Sequence, residues 1–230
     1  LNGEKRWCLW LLGAKPNELK QMPEILKRME SVRKFRMSSV RKQTIEKANT
    51  PSLFGEIRDF GDNYVVVPRV SSENRKYIPI GFFDKKSIVS DTCMAIPNCQ
   101  EYHFGILSSE MHMTWVRNVC GRLKSDFRYS KDIVYNNFPW PHDLPKQKIQ
   151  GVEKLARQVL KVRERYPDSP LADLYDPLTM PSDLVHAHQE LDKFVDSCYR
   201  PLPFSSEAKR MEFLFELYEK YTADLDRKST

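Results

Sequence analysis

Two prolines stand within four residues at Phe138-Pro139-Trp140-Pro141. Each removes a backbone donor and pushes the residue before it out of the helical region, so no helix or central strand can run through this point. The patterning on its two sides differs. Beyond it, Ile149, Val152, Leu155, Ala156, Val159 and Leu160 recur at helical spacing. Asp183 to Tyr199 places Leu184, Leu191, Phe194 and Cys198 on one face. Ser206 sits where an N-cap belongs, ahead of Met211, Leu214, Leu217, Tyr218 and Tyr221. The tail therefore reads as purely helical.

Ahead of the prolines the periods are mixed. RWCLWLL (6–12) reads as a buried strand, and Pro23 opens a helix with Ile25, Met29 and Val32 on one face, ending before Pro51. YVVVPRV (64–70) and KYIPIGFF (76–83) read as strands joined by the polar loop Ser71-Ser72-Glu73-Asn74. Pro68 and Pro79 mark them as edge strands or bulges. One or two short strands follow in 87–97. Ile106 to Cys120 reads as a helix, with Leu107, Met111, Trp115 and Val119 inward and Gly121 as its C-cap. The expectation is an α+β fold: a mixed domain at 1–142 and a small all-α domain at 143–230.

Composition narrows the class. With 40% hydrophobic and 30% charged residues the chain is a folded one. No apolar run approaches the ~20 residues of a membrane span, and RWCLWLL lacks the small-residue cleavage site of a signal peptide. Cys8, Cys93, Cys99, Cys120 and Cys198 are odd in number and form no CxxC, which argues for reduced core thiols rather than disulfides or zinc. The start at Leu1 suggests a piece of something longer.

The net charge of +6 is concentrated. Residues 1–58 hold 13 Lys+Arg against 6 Asp+Glu, while 59–145 hold 10 against 10 and 146–230 hold 14 against 15. The densest stretch is Lys27 to Lys47, where Arg33, Lys34, Arg41 and Lys42 are candidate phosphate partners. The competing reading is a solvated helix face.

Catalytic motifs are missing. The eight glycines are isolated, so no GxGxxG or Walker loop exists, and GxSxG and HExxH are also absent. His186 and His188 point to different helix faces. His188 and Asp192, at i,i+4, could share a metal but read better as a helix-surface pair. Pro167-Asp168 opens no nuclease pattern, since no spaced acid-x-Lys follows.

Two polar clusters remain. One is Ser71 to Tyr77, with Glu73 and Arg75. The other is Gly121 to Ser130, running into Tyr135-Asn136-Asn137. In extended backbone Lys124, Asp126 and Arg128 would share one strand face. Lys and Arg can donate to guanine O6/N7 and Asp can accept from cytosine N4. A self-neutralising surface strand is the plainer alternative.

IVYNNFPWP (133–141), VSSENRKYIPIGF (70–82), FGILSSEMHMTWVRNVCGRLKSDFRYS (104–130) and RWCLWL (6–11) resemble the C-terminal part of MmeI-like DNA methyltransferases. SPLADLYDPLTMPSDLVHAHQELDKFVD (169–196) resembles that family's helical domain. The likeness runs from Arg6 to about Tyr221. It implies a target-recognition domain plus a C-terminal helical domain of an adenine-specific enzyme, often fused to a nuclease as a single-chain restriction-modification protein. It also implies an S-adenosylmethionine-dependent methyltransferase domain elsewhere in the parent. That domain's Gly-rich loop and Asn-Pro-Pro-Tyr motif are not in this chain, and Tyr135-Asn136-Asn137-Phe138-Pro139-Trp140 only echoes the latter.

The expected function is sequence-specific binding of double-stranded DNA in a prokaryotic cytoplasm, without catalysis by this chain alone. Its partners would be the duplex and the parent's methyltransferase domain. Base contacts would come from Lys124, Asp126 and Arg128, then Thr92, Glu73 and Arg75. Phosphate contacts would come from Arg33, Lys34, Arg41, Lys42 and Arg122. The alternatives are a small nuclease or hydrolase with a scattered active site, and an RNA-binding or scaffold module.

Overall fold

A computed structural model describes residues 6–58 and 60–228, leaving out the side chains of 224–228. The first residues of the expected recognition domain, 1–5, lie outside the described residues. The chain forms two compact units, one within Lys5–Asp59 and one within Phe60–Thr230.

The N-terminal unit is helical: α1 (Pro16–Lys20), α2 (Pro23–Met37), α3 (Lys42–Glu46) and a 3-10 turn at Lys47–Asn49. Proline opens α1 and α2, where its missing N–H costs nothing. The expected single helix to Pro51 is broken at Ser38, whose side chain bonds the Phe35 carbonyl and so competes with the helix ladder. RWCLWLL is not a buried strand. It is irregular and largely exposed, with Trp7 at 93%, because no strand lies beside it among the described residues of this unit to complete a ladder. Trp10 stacks on Phe54 at 5.6 Å instead.

The second unit holds two three-stranded antiparallel sheets. β1 (Asn63–Pro68) lies between β3 (Gly81–Asp84) and β4 (Cys93–Pro97). β6 (Asp126–Arg128) lies between β2 (Val70–Ser71) and β5 (Gly121–Leu123). Four consecutive buried residues, Tyr64 to Val67, mark β1 as central rather than an edge. Pro68 is tolerated at its last position, where the chain turns into β2. Strand structure begins only at Gly81, so the reading of 76–83 holds for its last three residues alone.

The stretch 106–120 is two helices, α4 (Glu101–Leu107) and α5 (Glu110–Val119), because Ser108 ends the first and Ser109 caps the second. Gly121 is no C-cap: extended Cys120 ends α5, and Gly121 opens β5. After the proline pair come α6 (Lys146–Arg163), α7 (Leu171–Leu174), α8 (Ser182–Tyr199) and α9 (Glu207–Lys228), with Ser206 accepting from the Lys209 N–H as its side chain predicted.

One core runs across the proline pair. It joins Val65, Phe104, Met111 and Trp115 to Val152, Ala156, Leu191 and Leu214. α4 and α6 meet so closely that a Cβ on Gly105 would lie 2.7 Å from Val152 Cγ1.

Candidate functional site

Residue Arg69 joins the two sheets. Its N–H donates to the Thr92 carbonyl at 3.1 Å, and its carbonyl accepts from the Tyr129 N–H at 2.8 Å. The backbone thus holds the 90–92 loop and the β5–β6 hairpin on either side of one residue. Arg69 Nε donates to the Asp91 carbonyl at 2.8 Å, and the side chain is exposed. Sequence reading passed over Arg69. The signal available was an arginine directly after a strand-ending proline.

In the second sheet Val70 and Gly121 stand opposite Arg128, and Leu123 opposite Asp126. Directly opposed residues share a face. One face therefore carries Asp126, Arg128, Val70, Leu123 and Gly121. It looks outward: Val70 is 42% and Leu123 50% exposed. The other face carries Phe127 and Ser71, both buried, and Arg122. A one-residue slip would exchange the two sets.

Lys124 departs from expectation. It is not in extended backbone beside Asp126. With φ +57° it occupies the two-residue turn between β5 and β6. Leu123 and Asp126 pair directly, so the hairpin must reverse over Lys124 and Ser125. Asp126 and Arg128 do share a strand face. Among the described residues no side-chain hydrogen bond or ion pair engages Lys124, Asp126 or Arg128. Their donors and acceptors are idle, although Asp126 is half-buried.

Other predicted residues are engaged within the chain. Arg122 lies over the Phe127 ring at 4.2 Å, donates to the Ser125 carbonyl at 3.0 Å and faces Glu73 at 3.7 Å. That makes it a brace on the hairpin's inner face. Arg75 donates to the Ala172 carbonyl at 3.0 Å, and its Nε is buried without a partner. Thr92 Oγ1 and Ser90 Oγ are 2.5 Å apart.

In the N-terminal unit Arg33, Lys34, Arg41 and Lys42 are exposed, the first two on α2 and the others at the start of α3. Arg33 lies 3.8 Å from Glu30. Arg36 is spent on the carbonyls of Lys47, Thr50 and Leu53. That unit also has an apolar groove of about 140 Å³, lined by Leu9, Ile25, Met29, Val32 and Phe54 with Arg28 and Arg36.

His188 and Asp192 are not a helix-surface pair. They sit in a polar network, His188 fully buried and Asp192 half-buried, which the i,i+4 spacing could not reveal without knowing what packs on α8. His188 bonds Tyr175 Oη at 2.7 Å and the Ser108 carbonyl at 3.1 Å. Asp192 accepts from Tyr77 Oη at 2.6 Å and from the Glu110 N–H at 2.7 Å. Burial pushes the Asp192 carboxyl up to about 7, against those two bonds. The described residues bring no three His, Cys, Asp or Glu side chains together as a metal site. Cys99 and Cys120 are buried thiols, whereas Cys8 is exposed rather than in a core.

The model of the MmeI target recognition domain matches residues 1–142, and that of the MmeI C-terminal domain matches 144–226. The chain belongs to the MmeI family. DNA methyltransferase A of Bacillus subtilis (strain 168) is 41% identical over 222 residues, which are 96% of this chain and 25% of that protein. A solved structure described as the type IIL restriction-modification enzyme MmeI in complex with DNA matches at TM-score 0.86 and 46% identity. The match covers 94% of this chain and 29% of that one. This MmeI-family chain thus spans about a quarter of the length of the relatives it matches. No helix among its described residues is long and apolar enough to cross a membrane.

Proposed function

We propose that this chain reads the base sequence of duplex DNA for a larger parent that methylates adenine at N6, in a bacterial cytoplasm. The observation that carries the reading is the outward face of β6. A carboxylate and a guanidinium stand two residues apart there, unengaged, on a sheet whose other face is fixed in the core. Arg128 suits guanine O6/N7, Asp126 suits the cytosine N4 amine, and Val70 and Leu123 suit a thymine methyl. Lys124 at the hairpin tip, Arg69 and Thr92 border the same strands. Arg33, Lys34, Arg41 and Lys42 are the phosphate partners that hold the duplex without reading it. Membership in the MmeI family, and a relative solved with DNA, support the assignment.

S-adenosylmethionine belongs to the parent's methyltransferase domain. The apolar groove of the N-terminal unit does not fit it, because Arg28 and Arg36 would face the sulfonium cation and the lining has no carboxylate. No catalytic step is assigned to residues of this chain.

The test is selection from randomised duplexes, with wild type and with Lys124→Glu combined with Asp126→Arg. The double variant is expected to change preference at one base pair, worth roughly 1–3 kcal/mol of discrimination. The same site selected with uniformly lower affinity would remove these residues as readers. Tighter binding of RNA than of duplex, or cleavage by the isolated chain, would replace the function itself.

A further inference from the structure

We infer that Tyr129 and His112 are positioning residues for base recognition: a buried phenol–imidazole bond that sets how Arg128 and Asp126 face the DNA. The inference rests on the reading role proposed for those two side chains. The strands concerned are very short, β6 having three residues and β2 two. So few ladder bonds specify register weakly. What fixes β6 instead is the inward pair Phe127 and Tyr129, each 2% exposed. Phe127 supplies apolar burial, which is not directional. Tyr129 supplies direction: its Oη lies 3.0 Å from His112 Nε2, and its N–H donates to the Arg69 carbonyl.

The imidazole's own environment decides the polarity of that bond. His112 is fully buried on α5, with Nδ1 2.9 Å from the Leu107 carbonyl. A carbonyl only accepts, so Nδ1 carries the proton and Nε2 presents a lone pair. Tyr129 must then donate. The depression of His112 to about 4 by burial agrees with a neutral ring. α5 continues through Cys120 into β5, so the hairpin is tied to this helix twice, by the backbone and by Tyr129. Loss of the hydroxyl leaves a buried lone pair unmet and frees the strand to roll, while the phosphate-binding residues of the other unit are untouched.

The experiment compares wild type, Tyr129→Phe, His112→Gln and Arg128→Ala. It uses selection from randomised duplexes, the salt dependence of binding, and imidazole ¹⁵N shifts of the free chain. In wild type the ¹⁵N shifts are expected to place the proton on Nδ1; a proton on Nε2 overturns the inference. Tyr129→Phe is expected to lower preference at the base pair read by Arg128 roughly tenfold, within the range that a single base pair's readout spans, with an unchanged salt slope. A merely structural role would lower stability and leave base preference alone. His112→Gln, whose amide can again donate to the Leu107 carbonyl through its NH2 and accept from Tyr129 through its oxygen, is expected to keep the preference within about twofold of wild type. It also serves if Tyr129→Phe does not fold, since a tenfold loss in His112→Gln would show that restoring donor and acceptor is not enough. If Arg128→Ala loses the preference and Tyr129→Phe keeps it, the positioning role is wrong and the reading stands. If neither variant changes it, both fall.

Discussion

His112 and His188 share one solution to burying a histidine. In each, Nδ1 faces a backbone carbonyl and Nε2 a tyrosine hydroxyl. Burial holds both rings neutral, His112 down to about 4 and His188 well below its usual value. The unfolded chain takes up these protons near pH 6.5, so stability is lost as pH falls from about 6.5 towards 4. For His112 alone the linkage reaches about 3 kcal/mol. Asp192 acts in the opposite sense. Its carboxyl, raised to about 7, stays protonated in the folded chain where the unfolded chain has already released the proton. Its contribution is present below about pH 4 and lost as pH rises to 7. Denaturant unfolding at a series of pH values should therefore show stability rising from pH 4 to 6.5. Asp192→Asn should steepen that rise, because it removes the opposing group. An unchanged profile in Asp192→Asn would mean that Asp192 is ionised in the folded chain across this range.

At the scale of elements, the β5–β6 hairpin sets a side chain against a backbone preference. Lys124 holds φ +57°, a left-handed conformation that costs a residue with a Cβ of order 1 kcal/mol or more. Lys124→Gly should stabilise the fold by about 0.5–1 kcal/mol, read as a higher denaturation midpoint with an unchanged m-value, while weakening discrimination at the hairpin tip. Greater stability with undiminished discrimination would show that the lysine has no part in reading. The same turn explains what the sequence left hidden. Lys-Ser carries none of the Asn-Gly or Gly-X chemistry that announces a hairpin, so Lys124, Asp126 and Arg128 looked like one extended run. The C-terminal helices were legible because their stripes repeat over several turns and Ser206 caps one of them. RWCLWLL was not, since apolar residues promise a strand only where a neighbour completes the ladder. The candidate readers Asp126 and Arg128 were legible by their alternation. Arg69 was not, because its importance comes from hydrogen bonds to segments 23 and 60 residues away in sequence.

For the molecule as a whole, the charge surplus and the strand proposed to read bases fall in different compact units. Residues 1–58 carry the whole excess of positive charge, while Asp126 and Arg128 belong to the unit within Phe60–Thr230. Affinity and specificity should therefore separate. Arg33, Lys34, Arg41 and Lys42 are exposed, so replacing all four by alanine leaves both cores intact. Arg36, which ties down three carbonyls, is excluded from the set for the opposite reason. Each cation removed from a phosphate takes about 0.9 from the slope of log K against log salt, hence at most about 3.6 for four. The drop should fall somewhat short of that, because the Glu30 carboxylate near Arg33 already offsets part of its charge. The expected result is a salt slope lower by roughly 2 to 3, with selection from randomised duplexes returning the same preferred sequence. An unchanged slope would make the basic stripe a solvated helix face. A changed preferred sequence would mean that the N-terminal unit itself reads bases, and the division of labour between the two units would fail.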